Sequence, residues 1–152
     1  MLRRWLIALA LLLATLAATV AWLNLRGEAP TRADSAASSG TPEQVARGEY
    51  LALVGNCRTC HSARGGEPWA GGRGIATPFG TVYAGNLTPD DETGLGRWSA
   101  DHFWRALHHG RSRDGRLLVP AFPYPNYTQV TREDADALFA YLQSLPAVQQ
   151  PR

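Results

Sequence analysis

The chain has 152 residues, a formal net charge of +2 and 45% hydrophobic residues, which allows one domain with accessory segments. Its fifteen basic residues are all arginine and are nearly cancelled by thirteen acidic ones. No basic stripe runs through it, so a nucleic-acid partner is set aside on charge.

Residues 1–26 read as a membrane segment. Arg3 and Arg4 precede an apolar run from Trp5 to Leu25 in which only Thr15, Thr19 and Asn24 are polar. As a helix this run spans about 31 Å, the thickness of a bilayer core. Trp5 and Trp22 fall near its two ends, where indoles favour the membrane interface. A cleaved secretory signal is the alternative, with Thr19-Val20-Ala21 as a tolerable site, but the apolar run is long for one. An uncleaved anchor is favoured, and either reading exports the rest of the chain.

Residues 27–41 are rich in Ala, Ser, Gly and Pro without an apolar period, the composition of a flexible linker. The folded domain is expected over residues 42–148. Thr41-Pro42-Glu43 gives a cap, a proline at the first helical position and an early carboxylate, predicting a helix to about Val54. Gly48 lowers the propensity of that helix, so another helix is expected to cross it closely there.

Next comes Cys57-Arg58-Thr59-Cys60-His61, which contains both cysteines of the chain. Two thiols separated by two residues, with a histidine directly after them, are the c-type haem attachment signature. Each thiol of Cys57 and Cys60 can form a thioether to a vinyl group, and the imidazole of His61 can take one face of the iron. Rival readings carry less of the pattern. A thioredoxin-like pair needs no following histidine, a zinc site needs four ligands, and a disulfide across so short a loop stabilises little.

Residues 62–97 are dense in glycine and proline and predict a long loop with a short hairpin around Thr81–Tyr83. Trp69, Ile75, Phe79, Tyr83 and Leu87 are candidates to pack on a porphyrin. Arg73, Tyr83, Asn86 and Trp98 are candidates to donate to its propionates. For each of these, ordinary loop packing explains the residue equally well. A second helix is expected with Ser99 as its cap, Trp98 stapled to Phe103, and Gly110 as its stop. A third should follow Thr131-x-x-Asp134, with Ala135, Leu138, Phe139, Leu142 and Leu145 on one face and Pro146 ending it. This last helix is the one expected to cross the first at Gly48.

The order of helix, haem motif, glycine-rich wrap and terminal amphipathic helix resembles the class I c-type cytochromes. The closer likeness lies in Val-Ala-Arg-Gly-Glu-Tyr-Leu-Ala (45–52), Ala-Thr-Pro-Phe-Gly-Thr-Val-Tyr (76–83), Asn-Leu-Thr-Pro-Asp-Asp-Glu-Thr-Gly-Leu-Gly-Arg-Trp-Ser (86–99) and Pro-Ala-Phe-Pro-Tyr-Pro-Asn-Tyr-Thr (120–128). These stretches resemble haem modules in the cytochrome c subunits of membrane-bound alcohol and aldehyde dehydrogenases. The resemblance implies an all-α class I cytochrome c fold behind one transmembrane helix, with crossing terminal helices and a long haem-wrapping loop. It implies one covalent haem c and an electron carrier, not an enzyme. Redox partners would be a dehydrogenase, a quinone-linked complex or an oxidase, with the haem domain on the periplasmic side of a bacterial cytoplasmic membrane.

One position departs from that family. The sixth iron ligand is commonly a methionine, which in related modules can take the third place of Pro-Ala-x-Pro-Tyr. Phe122 stands there, and the sole methionine is Met1. The alternatives are His108, His109, Tyr124, Tyr127, or no protein ligand at all. On a helical wheel, His102, His108 and His109 all fall off the apolar stripe formed by Phe103, Ala106 and Leu107. Solvated histidines, two of them near the helix end, are the plainer account. An open distal face would instead suit a ligand-binding haem protein, such as a gas sensor or a peroxidase-like one.

Overall fold

The computed structural model describes residues 1–25 and 40–151, with side chains described for 1–22 and 40–151. The expected linker at 27–41 falls almost wholly outside them. The chain separates into two compact units.

The first contains α1 (Leu2–Leu25), and its stretch Leu2–Trp22 is long and apolar enough to cross a membrane. The side chains described along it are exposed. Its two threonines turn inward on the backbone: Thr15 Oγ1 donates to the Leu11 carbonyl and Thr19 Oγ1 to that of Thr15, each at 2.8 Å. Such back-bonding satisfies both hydroxyls within the helix itself.

The second unit is predominantly helical. It contains α2 (Pro42–Val54), the single turn α3 (Cys57–Cys60), the hairpin strands β1 (Gly74–Thr77) and β2 (Gly80–Tyr83), α4 (Ala100–His109), a 3-10 turn at Tyr124–Tyr127, and α5 (Arg132–Gln143). The starts of the helices follow from their caps. Thr41 accepts from the Gln44 amide and Gln44 returns the contact, closing a capping box. Ser99 and His102 do the same at α4. At α5 only half of such a box is made. Thr131 accepts from the Asp134 amide, but the Asp134 carboxylate pairs with Arg47 of α2 at 2.6 Å.

The crossing of α2 and α5 is the main contact of the domain, and it occurs at Gly48. A Cβ on Gly48 would lie 2.0 Å from the Ala137 carbonyl oxygen and 2.8 Å from the Tyr141 Cβ. Only glycine allows the two backbones to come so near. Ala52, Ala135, Leu138, Phe139 and Leu142 then form a core with Phe103 and Leu107 of α4.

The hairpin pairs Gly74 with Tyr83 and Ile75 with Val82, antiparallel. The rest of the long loop is fixed by polar side chains. Buried Asn86 donates through Nδ2 to Thr93 Oγ1 (2.9 Å) and to the Val148 carbonyl (2.7 Å). Its Oδ1 accepts from the Thr88 amide and hydroxyl, both at 2.8 Å. With both donors committed, Asn86 has none left for a propionate, which corrects that expectation. The C-terminal tail is thereby sewn to the loop, and the Gln150 amide adds a bond to Thr93 Oγ1 at 3.0 Å.

Candidate functional site

The turn carrying the two thiols is set up by the residue before it. Asn56 adopts a left-handed conformation (φ 54°), which asparagine tolerates better than most residues. Its side chain accepts from the Thr59 hydroxyl within the turn. The Thr59 amide bonds to the Asn56 carbonyl at 3.2 Å and the His61 amide to that of Cys57 at 3.0 Å. Cys57, Cys60 and His61 are thus carried by one hydrogen-bonded turn.

Beyond the turn, two contacts fix His61 against the loop. Its Nδ1 lies 2.8 Å from the Gly85 carbonyl oxygen, so the neutral ring donates from Nδ1 and keeps its lone pair on Nε2. Burial pushes the imidazole pKa down, which favours that neutral form, while the Gly85 contact acts the other way. The Gly71 amide also bonds to the His61 carbonyl, at 2.9 Å. Gly71 (φ 79°) has no room for a side chain, since a Cβ would meet the Gly85 carbon at 2.5 Å and its oxygen at 2.6 Å.

Trp69 anchors the same region to the core. It is a bulky residue at positive φ (66°), held there because its backbone amide donates to Ser62 Oγ at 3.0 Å. Its carbonyl accepts from Leu87 at 2.8 Å. The indole is buried edge-on against Tyr141, with ring centroids 5.7 Å apart. The left-handed backbone costs about 1–2 kcal/mol, offset by burial of the ring.

The thiols differ in exposure: Cys57 is half-buried and Cys60 exposed. Burial pushes the Cys57 thiol up, away from the ready thiolate that a redox-active pair requires. Tyr127 lies on the thiol side, where burial and then the charges of Cys57 and Cys60 raise its phenol. Its ring stacks on Phe122 with centroids 5.3 Å apart, and its hydroxyl is directed at the Gly55 carbonyl, 3.5 Å away.

The other sequence candidates sit in a range of surroundings. His108 is not a freely solvated side chain: it stacks on Trp104 with ring centroids 3.4 Å apart. Its Nδ1 lies 3.1 Å from the Trp104 carbonyl and its Nε2 3.1 Å from that of Val130. The helical wheel places it correctly off the apolar stripe but cannot show Val130 lying against it. His109 is exposed. His102 is engaged in the α4 cap through Nδ1, 3.2 Å from the Ser99 amide. Tyr124 packs against Gly110 at the end of α4, where a Cβ would meet its ring at 2.8 Å. Phe79 at the hairpin tip is wholly exposed and Tyr83 largely so, whereas Trp69 belongs to the core. Leu87 and Trp98 are half-buried against that core, and Ile75 is half-buried in the hairpin. Arg73 lines a pocket beside the turn together with Asn56, Arg58 and Thr59. The roles of Gly71 and Gly85 leave no signal in the sequence beyond glycine in a loop already rich in it.

The residues present fit a covalently attached haem. Two thiols, one half-buried, share a turn with an imidazole whose outer nitrogen is held by a backbone carbonyl, the usual way a metal-binding histidine is oriented. A family model described as "Cytochrome c" matches residues 45–146. The chain is 54% identical over 97 residues to the gluconate 2-dehydrogenase cytochrome c subunit of Pantoea cypripedii, covering 64% of this chain and 22% of that protein. It is 44% identical over 108 residues to the cytochrome c subunit of the quinone alcohol dehydrogenase of Gluconacetobacter polyoxogenes, covering 70% and 23%. It is 40% identical over 124 residues to the fructose dehydrogenase cytochrome subunit of Gluconobacter japonicus, covering 81% and 25%. The chain therefore spans no more than a quarter of the length of these relatives.

Proposed function

This chain belongs to the cytochrome c family, and from that premise we propose that it is a membrane-tethered monohaem carrier of single electrons. Cys57 and Cys60 would hold the haem through two thioethers, and His61 Nε2 would bind its iron. The haem, when bound, supplies a one-electron iron couple; no substrate bond is made or broken by the protein. The chain's own residues bind, orient and shield. The Gly85 carbonyl holds the His61 ring in one tautomer and makes its Nε2 a better donor. Trp69 and the α2–α5 crossing keep the motif on a rigid base.

The observation that carries this reading is the His61–Gly85 contact at 2.8 Å beside two thiols on one turn. The division proposed is an anchor at 1–26, a linker at 27–41 and a haem domain at 42–148. The apolar α1 supports attachment to a bacterial cytoplasmic membrane with the haem domain outside it. The names of the relatives support a dehydrogenase as electron donor; a quinone-linked complex or an oxidase would be the acceptor. Mixing the reduced membrane dehydrogenase of the producing cell with the oxidised holoprotein should reduce one haem per chain. A haem that such a donor leaves oxidised, while dithionite reduces it, would contradict the carrier role.

A further inference from the structure

His61 is held by a carbonyl that has no side chain of its own to fix it. The Gly85 oxygen lies 2.8 Å from His61 Nδ1, and a Cβ on Gly85 would meet nothing within 4 Å. Glycine has wide backbone freedom, so this carbonyl is aimed by its neighbours. On one side, Ala84 accepts from the Gly72 amide at 2.9 Å and donates to the Arg73 carbonyl at 3.0 Å. On the other stands buried Asn86, whose amide nitrogen shares a peptide bond with the Gly85 carbonyl. What fixes Asn86 comes from residues 148–150. Its Nδ2 donates to the Val148 carbonyl at 2.7 Å, its shortest hydrogen bond. The Thr88 hydroxyl, which donates to Asn86 Oδ1 at 2.8 Å, also accepts from the Val148 amide at 3.1 Å. Thr93 Oγ1 accepts from Asn86 Nδ2 at 2.9 Å and from the Gln150 amide at 3.0 Å. The segment therefore bonds to the Asn86 side chain and to both hydroxyls that hold it. It reaches the other support as well: Gln150 Nε2 lies 3.8 Å from the Cβ position of Gly72, and Gln150 lines one cleft with Gly72, Ala84 and Gly85.

We propose that residues 148–150 form a positioning strap for His61, acting through Asn86 and the Gly85 carbonyl. The inference rests on the role of His61 proposed above and deepens it. Its links are all contacts between side chains and backbone of this chain: Val148 to Asn86, Asn86 to Gly85, Gly85 to His61. With the strap in place, the Asn86 side chain is anchored at both its oxygen and its nitrogen, and the peptide before it cannot swing. Releasing the strap frees Asn86 to turn and carries the Gly85 carbonyl with it. The Nδ1–H of His61 then loses a fixed acceptor and exchanges with water. A histidine whose outer nitrogen loses its acceptor is a weaker ligand at the other, so the potential of an iron bound there rises.

The test follows solvent exchange of the His61 Nδ1–H by proton–nitrogen NMR in the reduced holoprotein, beside a redox titration. Three changes loosen the strap: a chain ending at Ala147, Thr88→Val and Asn86→Ala. Each should speed the exchange by about tenfold, the weight of one hydrogen bond, and raise the potential above the parent's. Asn86→Ala placed in the shortened chain should add nothing further, because both changes break one path. His108→Ala, which loosens the domain away from the strap, should match the parent in both readouts. Exchange at the parent's rate in the shortened chain and in Thr88→Val would overturn the proposal. Equal acceleration in His108→Ala would also overturn it, since the effect would then be one of stability alone. Should the shortened chain fail to fold, Thr88→Val and Asn86→Ala in the full-length protein decide the matter. Haem attachment is read separately from the c-type band of the pyridine haemochrome, and a parent without that band would overturn the role of His61 and the strap together.

Discussion

The Nδ1 atom of His61 lies 2.8 Å from the carbonyl oxygen of Gly85, twenty-four residues further along the chain. Gly71 makes the approach possible, because the Gly85 carbonyl passes through the space that a Cβ at residue 71 would occupy. A donor contact of this kind raises the basicity of the opposite nitrogen. Gly71→Ala should therefore shift the carbonyl off the ring, raise the reduction potential, and cost about 2–3 kcal/mol through crowding at a position with φ above zero. Redox titration beside urea unfolding checks both effects. A potential equal to the parent's would separate Gly71 from the tuning of His61.

Gly48→Ala tests the helix crossing. The added methyl gains about 1 kcal/mol in helix propensity, but meets the Ala137 backbone at 2.0 Å, where no flexible side chain can give way. Overpacking should win by about 1–3 kcal/mol, lowering the thermal midpoint by several degrees. Calorimetry of the holoprotein reads the result.

Asn86→Ala removes a side chain that serves four partners. The nearly inaccessible Thr88 loses an acceptor for its amide, and the Val148 carbonyl loses its closest donor. One stranded buried group costs about 1–3 kcal/mol, so a loss near the top of that range is expected from urea unfolding. Amide exchange should also quicken over residues 86–95 and 148–150 together.

His108→Ala should cost about 1–2 kcal/mol from the lost ring stack and carbonyl contact. It should leave the visible spectrum of both oxidation states unchanged. A change of spin state on this substitution would make His108 an iron ligand and contradict its placement against Val130.

Acid should loosen the 90–97 loop at Asp90. The Thr93 hydroxyl and amide, and then the Glu92 amide, donate to its carboxylate and hold its pKa below the ordinary 3.8. The unfolded chain thus takes up the proton first as pH falls. The contribution of Asp90 is complete above pH about 4, and is lost as pH drops through the folded value. Exchange of the Thr93 amide followed against pH should show this loss, and Asp90→Asn should flatten the profile.

The sequence is most legible where the determinants are local. Thr41, Ser99 and Thr131 announce helices through bonds to residues three positions on. The hairpin follows its glycines, and Cys57, Cys60 and His61 name their chemistry by spacing alone. Gly48 can be read as a crossing point because glycine inside a helix is costly unless close approach repays it. What stays hidden depends on distant segments meeting. Nothing near His61 points to Gly85, and nothing near Asn86 points to Val148. His108 illustrates the limit best: a helical wheel gives the direction of a ring, but not what lies over it.

The carrier role depends on Cys57 and Cys60 attaching one haem covalently, with His61 beside them to bind its iron. The most direct measurement is the pyridine haemochrome of the full-length protein after denaturation and acid–acetone extraction, from cells able to mature c-type cytochromes. A c-type band that stays with the polypeptide at one haem per chain is expected, and its loss from the Cys57→Ala/Cys60→Ala variant. Haem that extracts into the organic phase, or a polypeptide that carries none, would contradict it.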